Sequence, residues 1–90
     1  MNKDNQLYCL TDEDGTKSWY LNYQRHREDG PAIEWSNGDK SWYFNGKHHR
    51  LDGPAIEWDN IAKEWWYHGK WIKCDSQEKF ERLLKLKLLW

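Results

Sequence analysis

The sequence predicts a mainly β fold: an antiparallel meander of stacked 23-residue repeats, closed by one C-terminal α-helix. Three observations lead to this fold class. A seven-residue segment recurs letter for letter, the segments around it alternate apolar and polar residues, and the last fifteen residues change to a helical period. A chain of 90 residues has room for one modest core, so we expect a single domain over 1–90.

The repeat boundaries follow from the recurring segment. Asp29–Trp35 reappears as Asp52–Trp58, 23 residues later, and 16–38 aligned with 39–61 gives 15 identical positions. We therefore define repeat 1 as 16–38 and repeat 2 as 39–61. The rest of the chain divides into an N-terminal half repeat (1–15), a partial repeat 3 (62–75) and a predicted capping helix (76–90).

Each repeat has the pattern of short strands joined by tight turns. Lys40–Phe44 alternates, so Trp42 and Phe44 should share one face and Tyr43 should lie on the other. Gly30 and Gly53 precede proline in a repeated sharp turn, where we expect a backbone conformation that a Cβ disfavours. Pairs that supply the positive φ of hairpin turns are Asp14-Gly15, Asn37-Gly38, Asn45-Gly46 and His68-Gly69.

The C-terminal segment has a helical pattern. Asp75 or Ser76 can cap the helix, and an apolar stripe follows at Phe80, Leu83, Leu84 and Leu88. Because no repeat can bury its apolar face alone, we expect this helix to cover the exposed end of the sheet. An amphipathic helix with basic residues could instead lie on a membrane surface or hold a partner.

The predicted core is aromatic. The sequence has no valine, and its leucines are concentrated near the C-terminus, so Trp, Tyr and a few Ile must fill the core of the repeats. Equivalent positions should stack in register. The tryptophans that we expect to stack are Trp19, Trp42 and Trp65 at one position and Trp35 and Trp58 at another.

Composition excludes several classes of protein. The formal net charge of −1 argues against a strongly basic nucleic-acid domain and against an acidic DNA mimic. The sequence has neither a secretory signal pattern nor a stretch long enough to cross a bilayer, so we expect a cytoplasmic protein of a bacterium or an infected host cell. Cys9 and Cys74 lack metal-type spacing, and we expect free thiols, with a disulfide as the alternative.

Identical and varied repeat positions suggest different roles. His26/His49, Arg27/Arg50 and Asp29/Asp52 are identical in repeats 1 and 2, and Arg-Asp pairs there would brace each turn. Positions that differ between repeats suit a specific partner better, and stacking should line them up into one basic ridge. The predicted partner-binding residues are Arg25, Lys47, His48, Arg50, Lys70 and Trp71.

The sequence predicts no catalytic, cofactor or metal site. Glu34 and Glu57 have identical surroundings, whereas acid/base pairs need environments that push their pKa values apart. These carboxylates should lie across strands from Lys17, Lys40 and Lys63. A metal site at His48 and His49 is disfavoured because adjacent residues on a strand point to opposite faces.

Trp42–His49 reads Trp-Tyr-Phe-Asn-Gly-Lys-His-His, and Asn37-Gly38 closes repeat 1. With the 23-residue period, this pattern resembles a degenerate variant of MORN repeats, over 16–73. The resemblance implies an interaction scaffold without catalytic residues, of the kind seen in small bacterial and phage proteins, some of them named as antitoxins. We therefore expect a non-catalytic protein-binding module that occludes a host defence or toxin protein, as a phage anti-defence inhibitor or an antitoxin or immunity protein does.

Two other functions fit the sequence. Arg and Lys interleaved with aromatic residues could bind phosphates or single-stranded nucleic acid, although the near-zero net charge opposes this. The open edges of the sheet could instead join copies of the chain into a structural homo-oligomer.

Overall fold

The computed structural model describes residues 7–59 and 62–86. Residues 1–6 of the predicted half repeat, 60–61 of repeat 2 and 87–90 of the predicted helix lie outside this range. The described elements are β1 (Leu7–Thr11), β2 (Lys17–Leu21), β3 (Gln24–Arg25), β4 (Ile33–Glu34), β5 (Lys40–Ser41), β6 (Tyr43–Phe44), β7 (Lys47–His48), β8 (Ile56–Trp58), β9 (Ala62–Tyr67), β10 (Lys70–Ile72) and α1 (Gln77–Leu86).

The strands form an antiparallel sheet and helix α1 follows them, which confirms the prediction of a mainly β fold with a C-terminal helix. The main sheet has the order β1-β2-β4-β5-β8-β9-β10, β3 pairs with β2, and β6 pairs with β7. Glu34 lies opposite both Lys17 and Lys40, and Glu57 lies opposite Lys40 and Lys63, as predicted. Opposite charges thus alternate across the centre of the sheet, an arrangement that stabilises strand pairing.

In repeats 1 and 2, the pairing partner of the chain changes at a tryptophan. The Trp42 N–H donates to the carbonyl of Ala55 (2.7 Å), while the Trp42 carbonyl accepts from the N–H of His49 (3.2 Å). Trp19 does the same with Ala32 (2.8 Å) and His26 (3.0 Å). The strand predicted over 40–44 is therefore interrupted at Trp42, because its first half joins the central sheet and its second half forms a hairpin with β7.

Neighbouring hairpins are hydrogen-bonded through their turns. The Gly46 N–H donates to the carbonyl of Arg25 (2.9 Å), and the Gly69 N–H donates to the carbonyl of His48 (2.8 Å). Both glycines have φ of 82°, as the sequence predicted. A Cβ at Gly46 would lie 3.3 Å from Cδ of Gln24, and one at Gly69 would lie 3.2 Å from Cδ of Lys47. Each turn glycine thus accommodates a side chain from the preceding hairpin.

The turn between β2 and β3 has no glycine. Asn22 and Tyr23 occupy it with φ of 54° and 65°, and the Tyr23 side chain is 81% exposed. Positive φ is strained for a bulky residue, so this turn carries a conformational cost that the Asn45-Gly46 turn avoids.

The buried apolar residues form two groups. Ala32, Ile33, Ala55 and Ile56 are buried within the sheet. The prediction that all the repeated tryptophans are core is wrong for Trp35 and Trp58, which are 39% exposed, while Trp19 and Trp42 are half-buried. A second cluster centres on Trp65, Ile72 and Phe80 of α1.

Helix α1 packs against repeat 3 and is hydrogen-bonded to repeats 2 and 3. Phe80 is fully buried against Trp65 and Ile72. The Trp65 Nε1–H donates to Oε1 of Gln77 (2.8 Å), and Gln77 Nε2 donates to the carbonyl of Leu51 (2.8 Å). The helix therefore packs on the apolar side chains of β9 and β10 at this end of the sheet.

Arg27 and Arg50 brace their turns more extensively than predicted. Arg50 Nε donates to Asp52 (2.9 Å), and its Nη1 donates to the Pro54 carbonyl (3.1 Å) and to Glu57 (3.2 Å). Its Cζ lies 3.7 Å from the centre of the Trp42 ring. Arg27 makes the same four contacts, with Asp29, Pro31, Glu34 and Trp19. The half-buried tryptophans are thus covered by guanidinium groups.

These arginines also explain the repeated glycines. Neither Gly30 nor Gly53 lies in the left-handed region of φ, so the predicted backbone reason is wrong. A Cβ at Gly53 would instead lie 2.6 Å from Cζ of Arg50, and one at Gly30 would lie 3.0 Å from Cζ of Arg27. The guanidinium of Arg50 is held between the Trp42 ring and Gly53, with no room for a larger residue.

Gly53→Ala should lower the free energy of unfolding by about 1–2 kcal/mol, because the new methyl group displaces a guanidinium that three hydrogen bonds hold in place. Thermal unfolding followed by tryptophan fluorescence measures the effect. Gly30→Ala is the matched control. It should lower the free energy of unfolding by less, because its Cβ would lie 3.0 Å from Cζ of Arg27, compared with 2.6 Å at Gly53. Equal melting temperatures for wild type and Gly53→Ala would contradict the packing account.

Candidate binding surface

One face of the hairpins carries a continuous line of aromatic and cationic side chains, which we call the aromatic row. Ring centroids are 5.5 Å apart for Tyr8 and Tyr20, 4.2 Å for Tyr43 and His48, and 5.0 Å for His48 and Trp66. Arg25 Cζ joins the first two pairs, at 5.9 Å from the Tyr20 ring and 5.8 Å from the Tyr43 ring. The row consists of Tyr8, Tyr20, Arg25, Tyr43, His48, Trp66 and Trp71.

Strand register brings the row together. Each hairpin contributes one cross-strand pair, and residues directly opposite each other share a face of the sheet. These pairs are Tyr20 with Arg25, Tyr43 with His48, and Trp66 with Trp71. The hydrogen bonds from Gly46 to Arg25 and from Gly69 to His48 then set the three pairs side by side.

Three of the predicted partner-binding residues lie in the row. Trp71 is 54% exposed, Arg25 is exposed and His48 is half-buried. These three residues occupy one repeat position, 23 residues apart, and differ from repeat to repeat. The Trp66 Nε1–H donates to Glu64 (3.0 Å), which leaves the ring of Trp66 held in a fixed orientation.

The predicted single ridge is wrong for the other three residues. Lys47 lies opposite Phe44 and Lys70 lies opposite Tyr67, so both belong to the face away from the row. Arg50 makes the turn contacts described above, and its side chain is only 20% exposed. Successive residues on a strand point to opposite faces, so neighbours such as Lys47 and His48 cannot share one ridge.

The repeated histidines are acceptors for the backbone of the next repeat. The N–H of Asn45 donates to Nδ1 of His26 (2.9 Å), and the N–H of His68 donates to Nδ1 of His49 (2.8 Å). An accepting Nδ1 requires a neutral ring whose proton is on Nε2. At His26, Nε2 lies 3.2 Å from Oε2 of Glu28, which can accept a hydrogen bond from it. The repetition of these histidines indicated a framework role. Their hydrogen bond to the backbone could not be predicted, because it depends on the geometry of the turn.

Stability should therefore fall in acid. Burial, aided by the nearby His68, lowers the pKa of His49. The unfolded chain then binds more protons than the folded chain, so this contribution to stability is present above a pH of about 6.5 and is lost as pH falls toward the folded pKa. Chemical denaturation at pH 7.5 and 5.0 should show the loss. His49→Asn keeps an acceptor but cannot titrate, so its pH dependence should be smaller, and an unchanged dependence would contradict this assignment.

The charge of the row is low near neutral pH. Burial lowers the pKa of His48, with Arg25 acting in the same direction and Glu64 opposing it. His48 is thus mainly neutral at pH 7, and Arg25 is the permanent cation of the row. The surface consists of ring faces and hydrogen-bonding tips, the side chains that recur at protein–protein hot spots.

The predicted partner-binding residues omit four members of the row, three of which carry a signal in the sequence. Alternation placed Tyr43 opposite to Trp42, and the same step applies to Tyr20 and Trp66. Tyr8 could not be found in this way, because its place depends on the pairing of β1 with β2.

No family model matches this chain, and neither does a curated protein or a solved structure. In the described parts of the chain, no group of three or more His, Cys, Asp or Glu side chains is arranged to hold a metal ion. Over 7–59 and 62–86, no helix has the length and apolar character that crossing a membrane requires. Cys9 and Cys74 are free thiols.

Proposed function

We propose that this chain is a non-catalytic protein-binding module of the MORN-variant kind, whose aromatic row contacts and occludes one partner protein. The observation that carries the proposal is one repeat position. Arg25, His48 and Trp71 occupy it, differ from repeat to repeat and lie in the row, whereas the identical Arg27/Arg50 and His26/His49 bond within the chain.

The physical character of the row suits a protein partner. Arg25 and Trp71 are exposed, and Arg, Trp and Tyr are the residue types enriched at hot spots. Cross-strand bonding holds these rings in place before binding, which reduces the entropy that association costs. By its resemblance, the partner is a host defence or toxin protein in the cytoplasm of a bacterium or infected cell.

The test is a double substitution in the row. Trp71→Ala combined with His48→Ala should weaken partner binding by at least about 2 kcal/mol, or roughly 30-fold, while the fold survives. Partners are captured from lysate of the source cell, and the dissociation constant of the captured protein is then measured by calorimetry. Trp58→Ala removes an exposed tryptophan outside the row and serves as the control. An equal loss with Trp58→Ala would move the contact surface away from the row.

Stacked rings beside Arg25 could also hold a single strand of nucleic acid. The net charge of −1 disfavours this function. Salt separates the two: oligonucleotide binding should fall steeply as salt rises, whereas an aromatic protein interface should change little. Steeply salt-dependent binding of an oligonucleotide that requires Trp71 would replace the present proposal.

A further inference from the structure

A groove lies on the face opposite the aromatic row. It runs between the turn of repeat 1 (27–30) and the turn of repeat 2 (49–52), and its volume is about 640 Å³, within the range of ligand sites. Trp42, Phe44 and His49 form its aromatic floor, and Leu51, 54% exposed, stands at its side.

The equivalent surface of repeat 3 is occupied by the chain itself. Trp42, Phe44 and His49 stand 23 positions before Trp65, Tyr67 and Ile72. Those three residues pack against α1, which inserts Phe80 and adds Leu83 and Leu84. The helix thus shows the kind of side chain that this face accepts.

The groove is continuous with the surface on which α1 lies. Leu51 lines the groove, and its carbonyl accepts the hydrogen bond from Gln77 at the start of the helix. An occupant of the groove would therefore extend an interface that already exists at repeat 3.

The charge of the groove rim selects the occupant. The side chains of Glu28, Asp29 and Asp52 are 74%, 86% and 88% exposed. Arg27 and Arg50 bind Asp29 and Asp52 from the inner side through Nε, so the carboxylates face outward while the guanidinium groups are largely covered. At repeat 3, Asp75 stands in the place of Asp52, and Lys79 of α1 binds it at 3.1 Å. Helix α1, which packs on repeat 3, therefore places Lys79 on the carboxylate at this repeat position and the buried Phe80 beside it.

We infer that the groove of repeats 1 and 2 binds a cationic peptide segment of a second protein, with one bulky apolar side chain on the Phe44–His49 floor and Lys or Arg on the Asp29–Asp52 rim. This site lies on the opposite face from the aromatic row and does not depend on it. With both surfaces occupied, the module would bridge two proteins.

The experiment uses a synthetic probe made from the helix. A capped Gln77–Leu86 peptide carrying E78Q and E81Q keeps Phe80, Lys79, Arg82 and Lys85 and loses its acidic charges. It is titrated into the isotope-labelled full chain, and backbone amide shifts are followed by NMR. Saturable shifts are expected at Phe44, His49 and Leu51.

Matched variants decide the outcome. Asp29→Asn with Asp52→Asn should weaken binding roughly threefold or more by removing rim charge, while each Asn side-chain oxygen can still accept the hydrogen bond from the arginine Nε of its turn. A probe with Phe80→Ala should lose saturable binding, and Trp71→Ala with His48→Ala in the full chain should leave it unchanged. The inference is overturned by shifts confined to the Trp65–Ile72 surface, by no saturable shifts, or by equal affinity for the Asn variant. None of these outcomes bears on the aromatic row.

Discussion

Phe80→Ala should lower the free energy of unfolding by about 3–5 kcal/mol, the cost of removing a fully buried phenylalanine side chain. Phe80 joins α1 to Trp65 and Ile72, and its exposed fraction is 0%. A domain of this size has a stability of about 5–15 kcal/mol, so the change removes a large part of it. Urea denaturation followed by tryptophan fluorescence measures the loss.

The control for this change is on the same helix. Leu86 is 64% exposed, so Leu86→Ala should change stability by less than about 0.5 kcal/mol. If the Phe80→Ala and Leu86→Ala proteins unfold at the same urea concentration, α1 does not stabilise the sheet, and its capping role is wrong.

Arg50→Ala should cost about 2–4 kcal/mol, the second largest effect. It uncovers one face of Trp42 and leaves the Pro54 carbonyl and the Glu57 carboxylate without their donor. A partly buried polar group that loses its hydrogen-bond partner lowers the free energy of unfolding. Thermal and urea unfolding of the variant should both shift.

Arg50→Lys tests the shape of the contact as well as its charge. A lysine ammonium is a point charge and cannot lie flat between the Trp42 ring and Gly53 while donating in three directions. We expect this variant to recover less than half of the loss. Full recovery of stability by lysine would mean that charge alone holds the turn.

Much of the fold could be predicted from the recurrence. The period located the turns, and alternation placed Trp42 and Tyr43 on different faces. The predicted basic ridge is wrong because it grouped Lys47 with His48, although the side chains of adjacent residues on a strand point to opposite faces. Correct use of the same rule would have found Tyr20, Tyr43 and Trp66.

Other features of the structure could not be predicted from the sequence, because they depend on how separate segments pack together. Repeat register predicts a buried stack for Trp35 and Trp58, but burial depends on what packs over them, and here they are exposed. The interruption at Trp42 follows from hydrogen bonds to two different strands. The groove exists only because two turns of different repeats face each other across Phe44.

The turn at Asn22-Tyr23 limits where a further repeat could be added to the chain. A glycine is needed where the preceding hairpin presses a side chain against the turn, as Gln24 does at Gly46 and Lys47 does at Gly69. Tyr23 stands at the corresponding place in repeat 1. A new unit could be inserted between repeats 1 and 2 without altering either neighbour's turn. One added before repeat 1 would first require Tyr23→Gly, so the scaffold lengthens from within.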